Sequence, residues 1–163
     1  MLSKLLAQAK FTESTGVDYS YNLQILDNPV ALLFYTKDNY NKVVYMLMKY
    51  VIFANSHTFF SLTMSDNEVS IFVDQTIADQ LLDTDNCDYV QPNSFDKNYT
   101  AIKIFDNVDG VDHIGIVSKI STMMTENKIP ILYVNSYNNN FVLIQNDYLD
   151  RAKICLTKNN FIF

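Results

Sequence analysis

Residues 130–145 read PILYVNSYNNNFVLIQ. Two apolar runs flank an asparagine run, Asn138-Asn139-Asn140. Asparagine tolerates left-handed backbone, so the run suits a tight turn. β-branched and aromatic residues on both sides of it predict a hairpin of two strands. This hairpin decides the fold because the same figure occurs earlier in the chain. Residues 59–74, FFSLTMSDNEVSIFVD, are again two apolar runs, here about the turn Ser65-Asp66-Asn67. The second strands of the two hairpins begin at Val69 and Phe141, 72 residues apart. Internal self-similarity of this kind signals a repeated supersecondary unit.

Working outward, each hairpin sits in the same setting. Before the first, LQILDNPVALLFYT (23–36) holds two strand-like runs around Asp27-Asn28-Pro29. Val43, Val44, Leu47, Met48 and Val51 then recur at helical spacing, and QTIADQLL (75–82) predicts a short helix after the hairpin. In the second half YTAIKIF (99–105) reads as a strand. Ile114, Ile116, Val117, Ile120, Met123 and Met124 mark a helix, and Leu149, Ala152, Lys153 and Leu156 share one side of a last helix. Both halves run strand, helix, strand, turn, strand, helix. A half alone is too small to bury enough apolar surface, so side-by-side pairing of the two is expected. Helices on one face of antiparallel sheet place the chain in the α+β class. The expected division is an N-terminal extension over 1–21, a frayed amphipathic tail; a first unit over 22–83; a polar linker over 84–98; and a second unit over 99–163.

Composition narrows the function classes. The 163 residues carry a net charge of −6 without a Lys/Arg cluster, which argues against nucleic acid and anionic membranes as partners. No run approaches the roughly 18 apolar residues of a membrane span. The longest, VVYMLMKYVIF (43–53), is broken by Lys49. Two cysteines, Cys87 and Cys155, form no paired motif, so a reducing, cytoplasmic setting is expected, with Cys155 a small apolar helix residue. His57 and His113 are the two histidines, and no nucleophile, Walker or metalloprotease motif accompanies them. The expectation is a protein that is not an enzyme and needs no cofactor. Asp106, Asp109, Asp112 and His113 crowd one loop, but their spacing fits no EF-hand, so they read as solvated loop residues and not as a metal site. Tyr133, Tyr137 and Phe141 read as core and hairpin packing.

The chemistry concentrates in DGVDHIGIVSKI (109–120), which holds two of the three glycines. Gly110 permits a tight turn, and Gly115 permits close approach of a ligand. Unpaired N–H groups at a helix start attract a carboxylate, so the amides of Gly115, Ile116 and Val117 could hold the carboxylate of an amino acid. Asp112 could face its ammonium. The same residues also fit a plain helix start with Asp112 as N-cap.

Several stretches resemble the ACT domain, and in particular the CASTOR/GATS type of cytosolic arginine sensor, related to aspartokinase ACT units. FFSLTMSDNEVSIFVDQ resembles that family's first-unit hairpin. GVDHIGIVSKI resembles its glycine-framed loop and helix, and YVNSYNNNFVLIQNDYL its later strand pair. The likeness spans roughly residues 22 to 157. It implies two tandem ferredoxin-like βαββαβ units, equal to one half of the family's four-unit sensors. It also implies an amino acid held between the second unit of one half and the matching unit of another. A chain with one half builds that site by pairing with a second copy or a different protein. The implied ligand-binding positions are Gly110, Val111, Asp112, His113, Ile114 and Gly115, with Ile116 and Val117, then Pro130, Ile131 and Asn140. The implied partners are an amino acid, a homodimer mate or other chain, and a signalling complex upstream of the TOR kinase. Three positions depart from the pattern. His113 replaces a glutamate, Asn140 an aspartate that helps hold arginine, and Pro130 a small polar residue. A neutral amide forms no charge-assisted bond. A neutral or apolar amino acid, or no ligand, therefore fits as well as arginine. The readings that follow are an amino-acid sensor, a ligand-independent interaction module, or a regulatory subunit of an amino-acid biosynthetic enzyme.

Overall fold

The computed structural model describes residues 20–54, 59–83, 91–92, 94–105 and 115–163. The N-terminal tail expected over the first 19 residues lies outside them, as does Cys87.

In the first half, strand β2 (Val30–Thr36) alternates strictly, burying Ala31, Leu33 and Tyr35 on one face. Strand β4 (Glu68–Asp74) does the same with Val69, Ile71 and Val73. Their antiparallel register sets Ala31 opposite Val73, Leu33 opposite Ile71 and Tyr35 opposite Val69, so one sheet face is apolar across both strands. Helix α1 (Lys37–Leu47) covers that face with Val43, Met46 and Leu47. A π-helical turn, Met48–Ile52, prolongs it. The wider turn advances less per residue and keeps Val51 on the inner face. Val44, counted with the inner face by its spacing, is 38% exposed, and Met46 takes that role. Strand β3 (Phe60–Met64) forms the expected hairpin with β4, and helix α2 (Gln75–Leu81) follows.

Strand β5 (Ser94–Phe105) begins five residues before the strand read from sequence. Ser94 to Asn98, which read as the end of a linker, are its first half. Ser94, Phe95 and Asp96 register with Phe34, Leu33 and Leu32 of β2. The second half of β5 pairs with β7 (Asn140–Gln145) on one edge and β1 (Tyr21–Ile25) on the other. Strand β1 therefore does not pair with its chain neighbour β2. It lies between β5 and β8 (Phe161–Ile162), running parallel to β8. The order β3-β4-β2-β5 is that of one ferredoxin-like unit. The second unit shares β5 and adds helix α3 (Ile116–Glu126), strand β6 (Ile131–Asn135), β7, helix α4 (Leu149–Lys158) and β8.

Each unit keeps its own helix-covered core. One gathers Leu33, Tyr35, Met46, Ile71 and Leu81. The other gathers Ile102, Ile120, Met124, Ile144 and Phe161. A third cluster lies on the opposite sheet face and joins the halves through Val30, Phe59, Ala101 and Leu143. Of the three aromatics assigned to packing, Tyr133 sits against the second core and Phe141 against the third cluster. Tyr137 instead stands fully exposed at the hairpin tip, where no neighbouring strand reaches.

Cys155 is buried on α4, and its thiol pKa is raised by burial first and by the nearby Glu126 second. The neutral thiol is the form this fold favours. Its contribution to stability is full below the ordinary thiol pKa and is lost as pH rises through the raised one. In a Cys87→Ser variant, Cys155 is expected to react with a thiol reagent near pH 8 more than about tenfold slower when folded than when denatured. Equal rates would show that the thiol is accessible.

Candidate functional site

Helix α3 begins at Ile116, with Gly115 as its N-cap. Gly115 has φ +97° and ψ 0°, a left-handed backbone that side-chain-bearing residues rarely adopt. Among the described residues, its chain neighbour apart, no atom lies within 4 Å of where its Cβ would stand, so the requirement for glycine is argued from the backbone. Its carbonyl accepts from the Lys119 N–H at 2.8 Å, closing the first helical turn. Gly115 makes no side-chain cap, and Asp112, read as a cap residue, stands three positions before the actual cap. Ile116 is buried at 6% and anchors the helix start, while Val117 is 43% exposed. Gly110, Val111, Asp112, His113 and Ile114 lie outside the described residues, as do Asp106, Asp109 and His57.

The other expected ligand positions fall at two ends of the sheet. Asn140 opens β7, opposite Asn135 on β6 and Ile104 on β5, at the end from which the loop into α3 departs. Ile131 opens β6 opposite Ile144, which pairs in turn with Thr100. Four strand residues, roughly 13 Å, separate the two levels. Pro130 is exposed at the lower end, beside Ile131. Within one chain the structure groups Gly115 and Val117 with the Asn140 end, and sets Pro130 and Ile131 apart.

One contact at this helix was not legible in the sequence. The Lys119 ammonium lies 5.2 Å from the Tyr21 ring and 5.5 Å from that of Phe161, and the two rings stack at 5.0 Å. Cation–π contacts of this length fasten the first turn of α3 to β1 and β8. Tyr21 fell in the expected tail and offered no signal of this role. At the other end of α3, the Asn127 amide donates to the Met123 carbonyl at 2.8 Å and to Cys155 Sγ at 3.1 Å. Arg151 donates to the Asn127 carbonyl. Helix α3 is thus held at both ends, and its N-terminal amides have a fixed direction. Among the described residues no three His, Cys, Asp or Glu side chains come together as a metal site would need. No helix there is long and apolar enough to cross a membrane.

Residues 94–158 match the family model of the ACT domain. Among solved structures, the Agrobacterium tumefaciens protein Atu0741 is similar with a TM-score of 0.64 at 17% identity, over 88% of this chain and 92% of that one. The aspartokinase alpha and beta subunit structure gives 0.58 at 18% identity, over 86% of this chain and 98% of that one. The ligand-free regulatory subunit of aspartate kinase from Thermus thermophilus gives 0.55 at 11% identity, over 86% and 97%. At these identities the likeness is one of fold. None of the curated proteins matches this sequence.

Proposed function

We propose that this chain is a non-catalytic regulatory protein that binds a free amino acid at a contact between two of its copies. The observation that carries this reading is the left-handed Gly115 at the head of a fixed helix, inside the stretch that matches the ACT domain. A helix of this length presents unpaired N–H groups and a partial positive charge at its start, which suit an α-carboxylate. Asn140, which opens β7, belongs to the same wall in this reading. Pro130 and Ile131, at the far end of the strand, supply the opposite wall from the second copy. In this reading the two units meet within β5, and β1 is lent to the second. The resemblance to arginine sensors extends the proposal to nutrient signalling towards the TOR kinase. Asn140 in place of an aspartate favours a neutral amino acid over arginine.

A thermal-shift panel of the twenty amino acids tests this. A ligand at 100 times its Kd stabilises by about 2.7 kcal/mol, a rise of several degrees. One selective hit, lost in Gly115→Val and in Pro130→Glu but recovered when the two variants are mixed as a dimer, is the expected result. Recovery follows because one site in the mixed dimer keeps both walls intact. A flat panel favours the second reading, an interaction module. Its observation is the outer face of α1 and the π-helical turn, where Tyr45, Ile52 and Phe53 are exposed.

A further inference from the structure

Strands β3 and β6 are the last strands of the two units, each paired on one side, β3 with β4 and β6 with β7. The sheet curls so that the start of β3 meets the end of β6. Beside them Phe59, the residue before β3, and Phe141, on β7 opposite Val134 of β6, stand with ring centroids 5.0 Å apart and planes at 79°. Between the strands lies a cleft of about 170 Å³.

Phe59, Phe60 and Phe141, with Val134, give it apolar lining, and Ser61 and Asn135 add a hydroxyl and an amide; Ser136 also lines it, but its hydroxyl is bonded to Asn139. The backbone of Asn135 adds to these. Ser136 N–H donates to the Asn139 carbonyl at 2.8 Å, so even-numbered residues of β6 face β7. The N–H and C=O of Asn135 consequently point to the other edge, toward the cleft. Among the described residues no charged side chain lines it.

We infer that this cleft binds one small aromatic molecule that carries a hydrogen-bonding head and no net charge. The size sets the first limit. Drug-sized ligands occupy roughly 300–1,000 Å³, so this space takes one ring and a short substituent. The walls set the second. Phenyl rings meet a further ring edge-to-face or offset, an attraction that an aliphatic group does not match. The mouth sets the third. Hydroxyl, amide and strand-edge peptide groups satisfy a neutral or zwitterionic head, whereas an isolated anion there has no countercharge. An aromatic amino acid and a free phenol or indole share this chemistry. Because one wall comes from each unit, the bound molecule would bridge the halves. The inference is independent of the amino-acid site at the α3 helix start.

The test is an amide NMR titration of the full chain with L-phenylalanine, L-tyrosine, phenol and indole, with L-leucine and benzoate as controls. Aromatic probes are expected to move the amides of Phe60, Ser61, Asn135 and Phe141, and the controls to bind roughly tenfold more weakly. Binding by the amino acids alone, or by phenol and indole alone, identifies the source of the ring. Phe141→Leu keeps the apolar bulk and removes the ring, and is expected to weaken binding roughly tenfold. Should that variant fold poorly, Asn135→Asp at the exposed mouth serves instead. It weakens probes bearing a carboxylate and spares phenol and indole. Absence of shifts at these four amides overturns the inference, and so does equal binding of leucine. Shifts confined to Ile116 and Val117 remove this cleft while leaving the helix-start site standing.

Discussion

Leu143→Ala is expected to lower the unfolding free energy by about 3 to 5 kcal/mol, the range for deleting a fully buried leucine that its surroundings cannot refill. Leu143 is completely inaccessible. It lies on β7, between β5 and β6, on the sheet face away from the helices. Its neighbours Val30, Phe59 and Ala101 come from both units and from the strand they share. Among the described residues no helix contributes to this cluster and could move into the gap. For a domain of this size the loss corresponds to a fall in Tm of roughly 10 °C. Calorimetry should show one transition moved as a whole, since the shared strand and the shared cluster couple the halves. Two transitions, with only the later-sequence half shifted, would show that the third cluster does not bind the units together. Ile154→Ala, on the exposed side of α4, is the control and should change stability by no more than about 0.5 kcal/mol.

Substitution at Gly115 has the second largest expected effect. Its φ of +97° costs a residue with a Cβ roughly 1–2 kcal/mol, and no described residue beyond its chain neighbour adds a steric part to that cost. The order of loss in urea denaturation should therefore follow backbone preference. Val should lose most, because its branched Cβ is stiffest, then Ala, with Asn least because it visits left-handed backbone more readily. Equal losses for all three would mean that the chain re-routes the turn. Ligand binding should fall in the same order, since relaxing Gly115 re-aims the amides of Ile116 and Val117.

Much of the fold was legible because its signals are local. The hairpin over Phe60–Asp74 shows alternating burial on its second strand and a polar turn. The inner faces of α3 and α4 follow helical spacing, with Ile116, Ile120, Met123 and Met124 buried on one and Ala152, Cys155 and Leu156 on the other. The first half of β5 was not legible. Ser94, Asp96 and Asn98 carry no apolar alternation, and they are strand because β2 offers them a ladder. Val44 was misplaced because it stands one residue round the helix from Val43, outside the face that Val43, Met46 and Leu47 bury.

The candidate site divides the same way. Gly115 could be picked out from the sequence because glycine before an apolar helix pattern is a backbone statement, and the structure places it in the conformation that only glycine adopts readily. By itself the sequence determined most of the strands and helices, the apolar faces of β4, α3 and α4, and where a flexible backbone was needed. The tertiary structure alone decided that β1 crosses to the far unit, that Lys119 rests on Tyr21 and Phe161, that Ile131 and Asn140 stand a strand's length apart, and that β3 and β6 enclose a cleft. Alternation and helical spacing depend on each segment's own backbone geometry, so they are written locally. Strand partners and facing edges are chosen by contacts among residues distant in the chain, where several pairings bury similar apolar surface and only the assembled sheet selects one.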